Sequence, residues 1–136
     1  MNIAFPYHHI DRHIAMPLIP IRLEALGQFA DVTALIDSGA AASVLPYQIG
    51  LALDLDWDIY PAGPSLGGTL QSAETRMVVL DCDLKGFGTV ELGFVWSKAR
   101  SPRVLLGQTN FFQKFNICFF RMEDKIVISN VTGDVT

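Results

Sequence analysis

The sequence predicts a single all-β domain, and three features of the 136 residues support this prediction. The stretch Pro17–Ala25 alternates apolar and polar residues, which is the pattern of a strand with one buried face. Short glycine-containing turns at Leu26–Gln28 and Lys85–Gly88 separate apolar stretches, and such turns indicate hairpins. Helical patterns are confined to two short stretches, and the length suits one domain.

Composition and charge limit the possible partners. Lys plus Arg amount to 10 residues and Asp plus Glu to 14, which gives a net charge of −4, and the basic residues are not clustered. We therefore expect no nucleic-acid partner. The apolar share of 50% is enough for a core and also suggests a surface buried between subunits.

The sequence predicts neither a signal peptide nor a membrane span. The first residues lack a basic start followed by a long apolar run, and Pro17, Pro20 and charged residues interrupt the apolar stretches. We therefore expect a cytoplasmic protein without a membrane partner. Cys82 and Cys118 lack metal-site spacing, and we expect them to be reduced, buried thiols rather than a disulfide.

Residues 1–16 are expected to form an irregular N-terminal arm. The arm contains His8, His9 and His13, and the last two have the spacing of metal ligands on one helical face. The stretch has no helical pattern and no Cys or Glu to complete a site. We therefore expect a solvated arm without a metal, and the sequence leaves the role of the three histidines open.

Asp37 directly follows the first predicted hairpin. Pro17–Ala25 is followed by the return strand Phe29–Ile36, so Asp37 comes at the end of an apolar run. Asp and Gly are poor strand formers, and Gly39 permits a tight turn or a close backbone approach. An ordinary turn stabilised by an Asp side chain has the same local sequence, and these residues alone leave that alternative open.

The residues after this loop predict a short helix and an acidic stretch. Pro46–Leu53 is expected to form one or two helical turns. Asp54–Asp58 then places acids at the first, third and fifth positions of a possible calcium loop. The sixth and twelfth positions are Ile59 and Ser65 instead of Gly and Glu. We therefore expect a solvated edge around a buried Trp57.

The rest of the chain predicts a loop, two hairpins and a helix. Tyr60–Thr75 is rich in Gly, Pro and Ser and lacks a phosphate-binding glycine motif. The apolar strand Val104–Leu106 ends at Gly107, and a short helix follows, capped by Thr109 or Asn110. Its aromatic side is formed by Phe111, Phe112 and Phe115. The hairpins are Arg76–Leu84 with Thr89–Trp96, and Asn116–Arg121 with Lys125–Ser129.

These features together resemble the retropepsin-like aspartic proteases. The active-site loop of that family has two apolar residues, Asp, Ser or Thr, Gly and Ala, with a Ser or Thr four residues after the Gly. The matching residues here are Asp37, Ser38, Gly39, Ala40 and Ser43. The second family element, two apolar residues and a Gly before a helix, matches Leu105, Leu106 and Gly107.

The resemblance implies a closed β-barrel with one short C-terminal helix, one lobe per chain and a homodimer. The strand that contains Leu106 and Gly107 would cross beside the strand that carries Asp37. Gln108 departs from the Arg or Asp that family members often have there, so a helix-anchoring salt bridge is in doubt.

The resemblance also divides the chain. It implies a protease domain at residues 17–130, an N-terminal arm at 1–16 and a frayed tail at 131–136. Family members close a glycine-rich flap over the bound peptide. The residues that match its tip here are Leu66, Gly67, Gly68 and Thr69.

The implied activity is hydrolysis of an extended polypeptide by an aspartic endopeptidase. Two carboxylates about 3 Å apart share one proton, so one acts as base on a water and the other as acid on the substrate. The chain has one such loop, so the second carboxylate would be the Asp37 of an identical chain. No cofactor or metal is required. The alternatives are a catalytically silent peptide-binding or dimerisation module of this fold, and an unrelated small β-barrel.

Overall fold

The structure, a computed structural model, describes residues 1–66, 73–100 and 103–130. The strands are β1 Asn2–Pro6, β2 His8–His9, β3 Ala15–Met16, β4 Leu18–Ala25, β5 Gln28–Ile36, β6 Val44–Pro46, β7 Thr75–Leu84, β8 Gly88–Ser97, β9 Val104–Leu106, β10 Asn116–Phe120 and β11 Lys125–Ser129. The described helices are α1 Tyr47–Ala52 and α2 Phe111–Lys114, with 3-10 turns at Trp57–Ile59 and Arg121–Glu123.

Six strands form a closed barrel in the order β4, β5, β9, β6, β8 and β7. This confirms the predicted all-β fold and closed barrel. The two long hairpins, β4 with β5 and β7 with β8, are antiparallel, whereas β9 runs parallel to β5 and β6 runs parallel to β8. The alternation in β4 puts Ile19, Ile21 and Leu23 in the core. The predicted hairpins therefore form most of the barrel wall.

The two short helices lie where the sequence predicted helical turns. Helix α1 occupies most of Pro46–Leu53, and it is a helix additional to the one short C-terminal helix that the resemblance implied. Helix α2 begins after Asn110, whose backbone N–H donates to Gln113 Oε1 at 2.8 Å. Trp57 is 8% exposed, which confirms its predicted burial, and its ring contacts Trp96 at 4.8 Å between centroids.

The prediction that residues 1–16 are irregular is wrong for three short stretches. His8–His9 and Ala15–Met16 pair with each other as β2 and β3. Asn2–Pro6 forms β1, which pairs with β11, and β10 pairs with the other side of β11. The pairing buries Phe5 opposite Ile126. His9, one of the three histidines, contacts the residue just before β11: its Nε2 lies 2.7 Å from the Asp124 carboxylate.

Two further findings concern the membrane and the cysteines. Within residues 1–66, 73–100 and 103–130, no helix has both the length and the apolar character needed to span a membrane.

Cys82 and Cys118 are both free thiols. The prediction that both are buried is wrong for Cys118, which is half-buried because it lies on β10, at the edge of its sheet.

Candidate active site

Asp37 lies where two neighbouring parallel strands end. Strand β5 ends at Ile36, which lies opposite Leu106 at the end of β9. The backbone N–H of Asp37 donates to the Leu106 carbonyl at 2.9 Å, so the pairing continues one residue beyond the strand. The fold therefore brings the two motifs of the sequence to one edge of the barrel.

The residues after Asp37 form a tight turn around its carboxylate. The Gly39 N–H donates to Asp37 Oδ1 at 2.9 Å, and the Ala40 N–H donates to the Asp37 carbonyl at 3.2 Å. A Cβ on Gly39 would lie 3.3 Å from that carboxylate oxygen, which is a tight contact. Asp37 is half-buried, whereas Ser38 and Gly39 are exposed. The turn thus presents the carboxylate at the surface in a fixed position.

Ser43 joins the end of this loop to the second motif. Its hydroxyl accepts the Gly107 N–H at 3.0 Å and donates to the Thr109 carbonyl at 3.3 Å. Ser43 is 1% exposed, so both bonds are shielded from water. Its predicted supporting position in the loop therefore has a defined set of partners in the structure.

Backbone bonds attach the middle of the loop to the same segment. The N–H groups of Gln108 and Thr109 donate to the carbonyls of Ala40 and Ala41, each at 2.9 Å. A Cβ on Gly107 would lie 2.6 Å from the Ala42 carbonyl carbon, so only glycine permits this approach. Gly107 therefore belongs to the support of the loop rather than to the core alone.

Sequence reasoning missed one residue of this site. The sequence presents Gln108 only as a departure from the family pattern, yet its Nε2 donates to the Ser38 carbonyl at 2.8 Å. Its position next to Gly107 was the available signal, since a side chain there lies beside the loop. The loop from Ser38 to Ser43 and the segment from Leu106 to Asn110 carry no charged side chain, so Asp37 is the charged residue of these two joined segments.

Most of the predicted flap tip, namely Gly67, Gly68 and Thr69, lies outside the described residues. Leu66 is described and is half-buried. The chain on either side forms the base of a hairpin, as shown by an isolated bridge between Ala62 and Arg76. Two further backbone bonds at this base are Gly63 N–H to Thr75 O at 3.1 Å and Met77 N–H to Pro61 O at 2.9 Å.

No group of three or more His, Cys, Asp or Glu side chains in the part of the chain that the structure describes is arranged to hold a metal ion. Asp56 instead caps the 3-10 turn after it, because its Oδ1 accepts the Asp58 N–H at 3.1 Å. Among the described residues, the side chains of Asp37, Gln108 and Ser43 make hydrogen bonds at the loop and provide a carboxylate, an amide and a hydroxyl.

A six-stranded barrel with an Asp-Ser-Gly turn at the ends of two parallel strands defines the retropepsin-like fold, and similarities to solved structures support this assignment. A retropepsin-like aspartic protease from Rickettsia conorii superposes with a TM-score of 0.68 and 12% identity, covering 94% of this chain and 89% of that one. The retroviral protease-like domain of Ddi1 from Leishmania major gives 0.63 and 14%, covering 87% and 91%.

The EIAV protease, solved with the inhibitor HBY-793, gives a TM-score of 0.56 and 19% identity, covering 74% of this chain and 86% of that one. No protein-family model and no curated protein matches the sequence. At these identities the similarity concerns the fold. The resemblance predicted from the sequence is thus confirmed as a shared retropepsin-like fold.

Proposed function

We propose that this protein is an aspartic endopeptidase that works as a two-fold homodimer. The observation that carries the proposal is the position of Asp37 in a retropepsin-like fold. Its carboxylate follows β5, accepts the Gly39 N–H at 2.9 Å, and lies in an exposed loop that the segment directly after β9 supports. Such a loop is suited to meet an identical loop from another chain.

The dimer follows from the chemistry. One carboxylate cannot remove a proton from water and also protonate the oxygen of the attacked carbonyl at the same time. The sequence has one loop of this kind, so Asp37 of a partner subunit must supply the second carboxylate. A two-fold axis between the loops places the two side chains symmetrically.

The shared proton defines the mechanism. Two carboxylates in contact cannot both be ionised, so the pair retains one proton. The ionised Asp37 takes a proton from a bound water, and the water oxygen attacks the peptide carbonyl carbon. The protonated partner gives its proton to the carbonyl oxygen, which leaves a diol. The C–N bond then breaks as the first carboxyl gives its proton to the nitrogen and the partner carboxylate takes a proton from a diol hydroxyl. Water is the nucleophile, so no covalent acyl-enzyme forms and no cofactor takes part.

The substrate is an extended polypeptide with apolar side chains near the cleaved bond. The predicted flap, Leu66 with Gly67, Gly68 and Thr69, would bond to the substrate backbone and exclude water from the cleft. The exposed Ser38 hydroxyl would bond across the dimer and hold the two loops together, as the family resemblance implies.

The test is cleavage of a denatured, apolar-rich protein across a range of pH by the wild type and by Asp37→Asn. The variant keeps the shape of the side chain but cannot hold the shared proton, so cleavage should be lost. Asp31→Asn is the matched control, because Asp31 lies on β5, the strand that leads to Asp37, and pairs with Arg22 on the barrel surface at 2.7 Å. That control should cleave like the wild type.

Activity should be highest at acidic to neutral pH and should fall as the shared proton is lost on the basic side. A rate that still rises above about pH 8 would contradict a carboxylate pair. Equal cleavage by Asp37→Asn and wild type would contradict the proposal outright. Sedimentation adds the oligomeric state, and a dimer that never cleaves would instead favour a silent peptide-binding module.

A further inference from the structure

We infer that Gln108 is a positioning residue for Asp37 and that it acts through the Ser38–Gly39 peptide group. The inference rests on the proposed function for its catalytic consequence. Gln108 Nε2 donates to the Ser38 carbonyl at 2.8 Å, and the N–H of the same peptide group, that of Gly39, donates to Asp37 Oδ1 at 2.9 Å. One rigid peptide plane therefore connects the amide of Gln108 to the carboxylate.

Because the peptide bond is planar, the orientation of the Ser38 carbonyl and that of the Gly39 N–H are coupled. The carbonyl and the N–H of one peptide group point in opposite directions in one plane. Fixing the Ser38 carbonyl therefore fixes the direction in which the Gly39 N–H points. Without Gln108, the plane can rotate about the bonds that flank it, and the N–H···Oδ1 geometry is lost first.

The connection is also electrostatic. A hydrogen bond accepted by a carbonyl polarises its peptide group and strengthens the bond that the N–H of that group donates. Gln108 therefore strengthens the hydrogen bond that the Gly39 N–H donates to Asp37 Oδ1.

The side chain of Gln108 is not needed to attach its own segment to the loop. Its backbone N–H already donates to the Ala40 carbonyl, and the Thr109 N–H and the Ser43 hydroxyl make further bonds across the same contact. No charged side chain occurs from Ser38 to Ser43 or from Leu106 to Asn110. Within these two segments, the amide of Gln108 is the side chain placed to influence the carboxylate through the turn.

The test compares Gln108→Met with Gln113→Met in the full chain. Methionine keeps the length of the side chain and removes the amide. Gln113 is a matched control, because its Oε1 accepts the Asn110 N–H at 2.8 Å and supports α2. Gln108→Met should lower kcat and leave KM nearly unchanged, because the carboxylate is no longer held in position while the cleft stays intact. Gln113→Met should leave both kcat and KM in place.

A second measurement does not depend on activity. The Gly39 amide proton should move upfield in the NMR spectrum of Gln108→Met and stay in place in Gln113→Met, because only the first substitution weakens the bond to Oδ1. If the wild type proves inactive, this comparison still decides the positioning role. A Gly39 amide shift or a kcat that responds equally to both substitutions would overturn the inference.

Discussion

The contact between Gly107 and the active-site loop can be tested by adding one methyl group. In Gly107→Ala the new Cβ would lie 2.6 Å from the Ala42 carbonyl carbon and 2.8 Å from the Ala40 carbonyl oxygen. Both are backbone atoms, so no side chain can rotate away. The Ala40 carbonyl also accepts the Gln108 N–H at 2.9 Å, so moving the loop breaks a bond as well.

The expected loss of stability is large for a single methyl group. Overpacking costs about 1 to 3 kcal/mol, and the upper end applies because the atoms in contact are backbone. For a domain of this size, about 3 kcal/mol corresponds to a fall in the melting temperature of roughly 10 °C. Thermal unfolding followed by circular dichroism measures this value, and a cleavage assay well below the new midpoint should show reduced activity.

Gly27→Ala is the control for the general cost of replacing a glycine. Gly27 has φ +81° and nothing within 4 Å of an added Cβ, so this variant adds backbone strain without a clash. That strain costs about 1 kcal/mol, or roughly 4 °C. A Gly107→Ala protein that melts no lower than Gly27→Ala would show that the two backbones do not approach as described.

Two further predictions concern Ser43 and the cysteines. Ser43→Ala leaves the buried Gly107 N–H without its acceptor, so unfolding by urea should show a loss of about 1 to 3 kcal/mol, and an unchanged midpoint would contradict the bond. Burial, with a smaller effect from Asp83, raises the pKa of Cys82 to about 12. A thiol reagent at neutral pH should therefore modify the half-buried Cys118 and spare Cys82 until the protein unfolds, and equal rates would refute this.

The barrel was largely predictable because its hairpins are local. Strands β4 and β5 are joined by a short turn, as are β7 and β8, and residues close in sequence can pair without further information. The position of β9 beside β5 was predicted only through the family resemblance, since no local pattern specifies which strand will lie parallel to another.

The sequence does not predict the N-terminal strand, because its pairing partner is also far away along the chain. Asn2–Pro6 is short, and its partner is Lys125–Ser129 at the other end of the chain. Such a short segment is marginal by itself and becomes a strand through the sheet that receives it. Phe5 is buried and Ala4 is exposed, but this alternation indicates a strand only when the partner strand is known.

The difference between local and long-range contacts also explains why the sequence predicts the candidate site only in part. An Asp that accepts an N–H two residues later occurs at Asp37, at Asp56 and at Asp11, with distances of 2.9, 3.1 and 2.7 Å. The local motif is thus an ordinary turn in all three places. What separates Asp37 is the set of backbone and side-chain bonds between its loop and the segment Gly107–Thr109, some 70 residues away. At the Asp56 turn, by contrast, the Arg76 side chain donates to the Trp57 carbonyl. A carboxylate in a turn becomes a candidate catalytic group when a second segment is bonded along the turn, and that is a property of the fold.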